Sequence, residues 1–176
     1  ACQGELNPET KLVLDKFGFS APEIVTDATG KQVILVDHGD LAQAPDNLAD
    51  GELLGVVDHH KIGDITTDKP IFFHARPVGC TGTILKELYD IDGTAVPANI
   101  AGLLLSSILS DTVLFKSPTT TDEDKKPVKH LPKLPVLMIW QHGLWKCLRP
   151  NLRLKAYRPE IWYSETIKTS KWVARK

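Results

Sequence analysis

Acidic and histidine side chains meet at the end of one apolar segment of the sequence. The stretch "GVVDHHKIGD", residues 55–64, joins a hydrophobic run to Asp58, His59 and His60. Carboxylate and imidazole groups together suit Mn²⁺, Fe²⁺, Co²⁺ or Zn²⁺. Two such ions held about 3.5–4 Å apart can hydrolyse phosphoric anhydrides and esters. The segment is therefore a candidate metal site.

Two further acids occupy similar places in the sequence. Asp37 follows the apolar run "VILV", and Asp111 follows an apolar helical pattern. Ligands of doubly wound sheets bind beyond the carboxyl ends of the strands, so Asp37 and Asp58 are expected at one edge. Each residue alone also fits a turn, a cap or an ordinary surface or core position. Adjacent histidines would point to opposite faces of a continuing strand, unless the chain turns at residues 61–63. The three acids and the histidine pair together favour a site.

Apolar periodicity predicts the elements that position these residues. Two continuous apolar runs are typical of strands covered on both faces of a sheet, and a third, more alternating run is placed nearer an edge. Helical spacing, with Asn7 as a cap and Gly18 as a stop in the first case, predicts helices. The pattern predicts an α/β fold with a mainly parallel, doubly wound sheet. The strand segments are "KQVILVDH", "ELLGVVDHH" and "IFFHAR", and the helical segments are "NPETKLVLDKFG", "CTGTILKELYD" and "PANIAGLLLSSILSD".

Composition indicates an ordinary globular protein. The 176 residues are 42% hydrophobic and 24% charged, with a formal net charge of -1. This charge gives no overall attraction to nucleic acid or to an anionic membrane. The three cysteines lack metal-type spacing, which favours a reduced, cytoplasmic compartment. No apolar run is long enough to cross a bilayer.

The character of the chain changes after about residue 121. We interpret residues 1–125 as a partial domain and residues 126–176 as an aberrant tail that contains all four tryptophans. One hypothesis is that the residues after Leu131 are translated in a shifted reading frame, which would replace a linker and a second domain. The alternative is a divergent, tryptophan-rich interaction tail.

Several motifs resemble one known family. "VDHHKIGD" resembles the Asp-His-His signature of the DHH phosphoesterase superfamily, and residues 5–131 resemble its family II manganese-dependent inorganic pyrophosphatases. The resemblance implies hydrolysis of pyrophosphate to two phosphates by a homodimeric, cytoplasmic enzyme. Its cofactors would be two Mn²⁺ or Co²⁺ ions, with Mg²⁺ on the substrate. The supporting stretches are "FGFSAPEI", "VILVDH", "GVVDHHKI", "ARPVGCTGTIL" and "AGLLLSSILSDTVLFKSPTTTDEDK".

The resemblance also implies a role for each residue of the candidate site. Asp37 and Asp111 would bridge the two ions, and His59 would bind one of them. His60 would contact the substrate phosphate or protonate the leaving phosphate. Asp58 would orient an imidazole ring by accepting its other N–H.

Parts of the family pattern have no counterpart in this sequence. The family begins with a strand and a His-x-Asn-Pro-Asp-x-Asp loop that completes the metal shells, and its second domain supplies basic side chains that bind phosphate. We therefore expect residues upstream of Ala1, and we expect this chain alone to bind metal weakly and hydrolyse little. Thr81 and Thr83 in "PVGCTGT" would offer hydroxyls to an anion, or would only cap a helix. The alternative functions are another DHH phosphoesterase acting on oligonucleotides or polyphosphate, and a non-catalytic binding module.

Overall fold

The computed structural model describes residues 1–130, with three parallel strands and four α-helices. The predictions for the tail after Leu131, including the shifted reading frame, lie outside the described residues. Among residues 1–130, no helix combines the length and hydrophobicity needed to cross a bilayer. The elements are α1 (Pro8–Phe17), β1 (Gln32–Val36), β2 (Glu52–Asp58), β3 (Phe72–Ala75), α2 (Thr81–Asp92), α3 (Ala98–Asp111) and α4 (Asp122–His130).

The sheet has the order β1-β2-β3, and both strand pairs are parallel. Val57 in the central strand aligns with Val36 on one side and with His74 on the other. The carboxyl ends of the three strands therefore lie at one edge. The predicted α/β fold with a parallel sheet is confirmed, and β3 is an edge strand among the described residues. The β1–β2 connection contains two short 3₁₀ turns, Leu41–Gln43 and Leu48–Asp50.

Helix α1 forms as the sequence predicted and packs against α3. The Asn7 side chain accepts a hydrogen bond from the Thr10 amide, and Gly18 ends the helix with a φ of 76°. The ring of Phe17 lies so close to Gly102 that a Cβ there would overlap it. This contact belongs to an apolar helical cluster, whose buried members are Val13, Phe17, Ala101, Leu104, Leu105, Leu109 and Leu114.

A smaller apolar cluster joins α2 to the sheet. Val57 of β2 packs against Val78 and Ile84, and all three side chains are buried. Removal of such side chains from water is worth about 1.5–3 kcal/mol each. The cluster therefore holds the N-terminus of α2 beside the carboxyl end of β2.

Within residues 1–130, strand β1 is covered on only one face, so the prediction of burial on both faces is wrong for this strand. Leu35 is 3% exposed, whereas Ile34 and Val36 are 57% and 44% exposed. Side chains alternate between the faces of a strand. Because α2 packs on β2, the side of β1 that carries Ile34 and Val36 stays open among the described residues.

Candidate metal centre

Asp58 ends β2 and turns the chain. Its side chain is nearly inaccessible, and its Oδ1 accepts the backbone amides of His59 at 2.8 Å and His60 at 3.2 Å. The turn continues to Gly63, which packs on the backbone of Gly39, where any Cβ would overlap a carbonyl oxygen. As a result, the two histidine rings do not diverge, and their centroids are 4.0 Å apart.

The hydrogen bonds of the His59 ring define which nitrogen is free to bind a metal. Nδ1 lies 2.9 Å from the carbonyl oxygen of Val78. A carbonyl oxygen only accepts hydrogen bonds, so Nδ1 carries the proton and the lone pair of the neutral ring is on Nε2. Nε2 is 3.5 Å from Oδ1 of Asp37. Neighbouring ligands of an octahedral ion with bonds of about 2.1 Å are about 3.0 Å apart, so a small closure would suffice for both atoms to bind one ion.

Asp37 lies immediately after β1 in the left-handed region, with a φ of 71°. Aspartate tolerates this region better than most residues. The Asp37 amide donates to the carbonyl oxygen of Val57 at 2.9 Å, which ties it to the neighbouring strand. Its Oδ1 accepts a hydrogen bond of 2.7 Å from the hydroxyl of Thr81. The first residue of α2 therefore fixes the orientation of this carboxylate.

Asp111 is the last residue of α3 and is partly buried. Burial raises its pKa. A hydrogen bond with the Cys80 thiol lowers the pKa, the charge of Asp37 raises it, and the neighbouring histidines lower it, which leaves the net shift upward. Burial likewise raises the pKa of the Cys80 thiol, which therefore stays protonated. Asp111 thus lies within electrostatic reach of Asp37 and of both histidines, which is the neighbourhood predicted for it.

Within the described part of the chain, Asp37, His59 and His60 form a set of potential metal ligands. One ligand atom from each lies within 4.8 Å of the other two, and Asp111 is not in this set. The ring of His60 donates from Nδ1 to Oδ1 of Asp58 at 2.8 Å. Asp58 therefore orients the predicted substrate-facing ring, His60, whereas the Val78 carbonyl orients the predicted metal ligand, His59.

Asp58 remains a charged carboxylate despite its burial. Burial raises the pKa of Asp58, but the hydrogen bonds from the His60 ring and from the His60 and His59 amides outweigh that effect and leave the pKa below its ordinary value. The carboxylate is therefore ionised at neutral pH and accepts the Nδ1–H of His60 as an anion.

Two groups near the centre were not predicted from the sequence, and two threonine hydroxyls have a role that differs from both predicted alternatives, anion binding and helix capping. The Val78 carbonyl has no side-chain signal, and Asp124 is one acid of a charged run. Thr81 and Thr83 were considered as anion ligands, but their hydroxyls donate at 2.7 Å to the carboxylates of Asp37 and Asp124. An anion site formed by these two hydroxyls is therefore not supported. The available signal was a pair of hydroxyl residues in the first turn of a helix, with one residue between them.

Comparison with known proteins identifies relatives of this chain. A model described as "DHH family, N-terminal domain" matches residues 4–108. A probable manganese-dependent inorganic pyrophosphatase of Archaeoglobus fulgidus is 57% identical over 132 residues, which cover 75% of this chain and 41% of the relative. A manganese-dependent inorganic pyrophosphatase of Methanothrix thermoacetophila is 54% identical over 134 residues, with coverage of 76% and 43%.

A solved structure shows the same relationship in three dimensions. The crystal structure described as a family II inorganic pyrophosphatase of Methanococcus jannaschii superposes with a TM-score of 0.74 and 45% identity. The match covers 81% of this chain and 49% of that one. The resemblance inferred from the motifs is confirmed. This chain spans less than half the length of these relatives.

Proposed function

The chain belongs to the DHH family, and from this premise we propose that it forms part of a manganese-dependent enzyme that hydrolyses inorganic pyrophosphate to two phosphates. The observation that carries the proposal is the 3.5 Å approach of His59 Nε2 to Asp37 Oδ1 at the carboxyl edge of the parallel sheet. We also propose that the complete enzyme is cytoplasmic and homodimeric, and that it binds neither nucleic acid nor membranes.

The donor atoms at this edge fit a divalent cation such as Mn²⁺ or Co²⁺. Asp37 offers a carboxylate oxygen, His59 offers a ring nitrogen whose proton is held elsewhere, and Asp111 offers a second carboxylate nearby. Mixed oxygen and imidazole ligands suit these ions. When bound, two such ions would supply an acidified water as nucleophile and would neutralise charge on the phosphoryl oxygens, with Mg²⁺ accompanying the substrate.

His60 is suited to the leaving phosphate. Its Nδ1–H is held by the carboxylate of Asp58, which leaves Nε2 as the ring atom that would donate a proton to a phosphate oxygen. In the hydrolysis, water adds to one phosphorus atom and the bond from that phosphorus to the bridging oxygen breaks. The bridging oxygen leaves with the second phosphate and takes the proton from His60. The attacking water loses one proton to solvent as its oxygen bonds to phosphorus, and His60 later regains one proton from solvent. The products are two phosphates, and the enzyme is unchanged.

Full turnover requires more than the side chains named here. Asp37, His59 and Asp111 would supply only part of the ligands that two divalent ions need. We therefore propose weak metal binding and little hydrolysis by this chain alone, and we assign the activity to a longer protein.

The test compares substrates and metals for this chain and its longer relatives. Phosphate release should be Mn²⁺-dependent and faster with pyrophosphate than with polyphosphate or a short oligonucleotide. His59→Asn should lower Mn²⁺ affinity at least tenfold, because the metal loses an imidazole ligand. His74→Asn on β3 is the matched histidine control and should change neither quantity. Preferential cleavage of the oligonucleotide would favour the alternative phosphoesterase, and absence of any Mn²⁺-dependent stabilisation would favour a non-catalytic module.

A further inference from the structure

We propose that Asp124 is a positioning residue for the metal centre and acts on His59 through the peptide group between Val78 and Gly79. The proposal rests on the proposed function only for the identity of the metal. The orientation of the His59 ring can be measured without any metal.

Asp124 is a fully buried carboxylate surrounded by hydrogen-bond donors. Its side chain is 0% exposed. The Gly79 amide donates to both oxygens, at 3.0 and 2.9 Å, and the hydroxyl of Thr83 donates at 2.7 Å. The amide and the hydroxyl of Thr121 each donate at 2.7 Å. A carboxylate with this many donors is held in one orientation and joins the start of α2 to the start of α4.

The charge on Asp124 persists despite its burial. Burial raises the pKa of this carboxyl, but the hydrogen bonds from Thr83, Thr121 and Gly79 outweigh the effect and leave the pKa below its ordinary value. The group is therefore an anion at neutral pH. It points at the amide of Gly79 from the side opposite to the metal centre.

The Val78–Gly79 peptide group connects this anion to the metal centre. Its N–H donates to Asp124, and its C=O accepts the Nδ1–H of His59 at 2.9 Å. The two groups belong to one rigid plane, so fixing the N–H also fixes the C=O. A carboxylate on the N–H side polarises the amide and makes its carbonyl oxygen a stronger acceptor. The chain of hydrogen bonds therefore favours the His59 tautomer that leaves Nε2 free for a metal.

Local packing fits this role. A Cβ on Gly79 would lie 2.8 Å from Oδ2 of Asp124 and 2.9 Å from Cγ2 of Thr112, so only glycine permits the close approach. The chain reaches Asp124 through a reversal directly after α3, where Val113, Leu114 and Phe115 have φ values of 51°, 55° and 62°. Such residues are strained, and the strain is tolerated where the surrounding contacts fix the backbone.

The test measures the His59 ring and the metal affinity in the full chain. Asp124→Asn removes the negative charge and leaves one acceptor oxygen for the donors that two carboxylate oxygens share in the unsubstituted chain. We expect the ¹⁵N NMR signals of metal-free His59 to move from a protonated Nδ1 toward a mixture of tautomers. We also expect Mn²⁺ affinity, measured with the metal alone, to fall about tenfold. Asp122→Asn is the matched control, because it removes an exposed carboxylate that pairs with Lys125 on the same helix.

A second control separates positioning from stability. Val13→Ala in the helical cluster should lower the thermal midpoint without changing the His59 signals. A His59 tautomer and Mn²⁺ affinity in Asp124→Asn equal to those in the Asp122 variant would overturn the proposal. A changed tautomer in a chain that binds no Mn²⁺ would support the positioning role and contradict the proposed function.

A measurement on the unsubstituted chain covers the case in which Asp124→Asn does not fold. The Gly79 amide proton should resonate at low field and exchange with solvent as slowly as amides in the centre of β2. Exchange at the rate of an exposed loop amide would overturn the proposal, because the anion would then not hold this peptide group.

Discussion

Thr81→Val tests how strongly the first residue of α2 stabilises the metal-binding form of Asp37. The substitution keeps the shape of the side chain and removes the hydroxyl that donates to Asp37 Oδ1 at 2.7 Å. Thr81 is 3% exposed, so the lost donor is not replaced easily from the Thr81 side. Asp37 then loses the contact that selects its rotamer.

The magnitude follows from the exposure of the two partners. A hydrogen bond to a charged group contributes about 1.5–3 kcal/mol to stability. The Asp37 side chain is 54% exposed, so water recovers part of that energy and about 1 kcal/mol is expected to remain. This energy corresponds to about fivefold weaker Mn²⁺ binding. The expected loss is therefore smaller than that for removing a ligand such as His59.

The assay is a Mn²⁺ titration followed by the electron paramagnetic resonance signal of the free ion. Thr81→Ser is the matched control, because it keeps the hydroxyl and loses only a methyl group. We expect Thr81→Ser to bind Mn²⁺ as the unsubstituted chain does and Thr81→Val to bind about fivefold more weakly. Equal affinities for the two variants would refute the reasoning, since the hydroxyl would then not prepare Asp37 for the metal.

Two other substitutions distinguish the remaining roles. His60→Asn should lower the rate of phosphate release at least tenfold and change Mn²⁺ affinity less than threefold, because the ring is expected to contact phosphate rather than metal. A large loss of Mn²⁺ affinity in the titration would instead identify His60 as a metal ligand. Asp111→Asn should raise the thermal midpoint of the metal-free chain at neutral pH and abolish stabilisation by Mn²⁺. The folded-state pKa of Asp111 is raised above the ordinary value of 3.8. The contribution of this carboxyl group to the free energy of unfolding is therefore complete below pH 3.8 and is lost as the pH rises through the folded-state pKa. The difference in the free energy of unfolding between the unsubstituted chain and Asp111→Asn should grow with pH across this range. A constant difference would contradict the raised pKa of Asp111.

The sequence predicted the elements because their signals are local. Asn7, Gly18 and the helical spacing between them define α1, and the apolar runs before Asp37 and Asp58 define β1 and β2. Parallel pairing places the ends of both strands at one edge, so the neighbourhood of Asp37 and His59 also followed. These inferences needed only residue types, their spacing and the geometry of parallel sheets.

The unpredicted features depend on groups that meet only in the folded chain. Every residue except proline offers the same amide and carbonyl, so residue types do not reveal that the Val78 carbonyl holds His59. Asp124 is 45 residues from Gly79 in sequence and lies among other charges. The exposure of Ile34 also depends on where α2 packs rather than on the apolar pattern of β1. Tertiary contacts, not propensities, decide all three.

Because of the left-handed reversal after α3, the thermal stability of the candidate metal centre depends on the packing of the helices. Each L-residue in this conformation costs about 1–2 kcal/mol, and Leu114, 7% exposed, is held in place by the apolar helical cluster. When heating loosens that packing, the reversal can adopt a backbone conformation of lower energy and is expected to unfold early. Asp111 on one side of the reversal and Asp124 on the other would then be displaced with it. The metal affinity is therefore expected to fall during heating while the strands and most of the helical content are still intact.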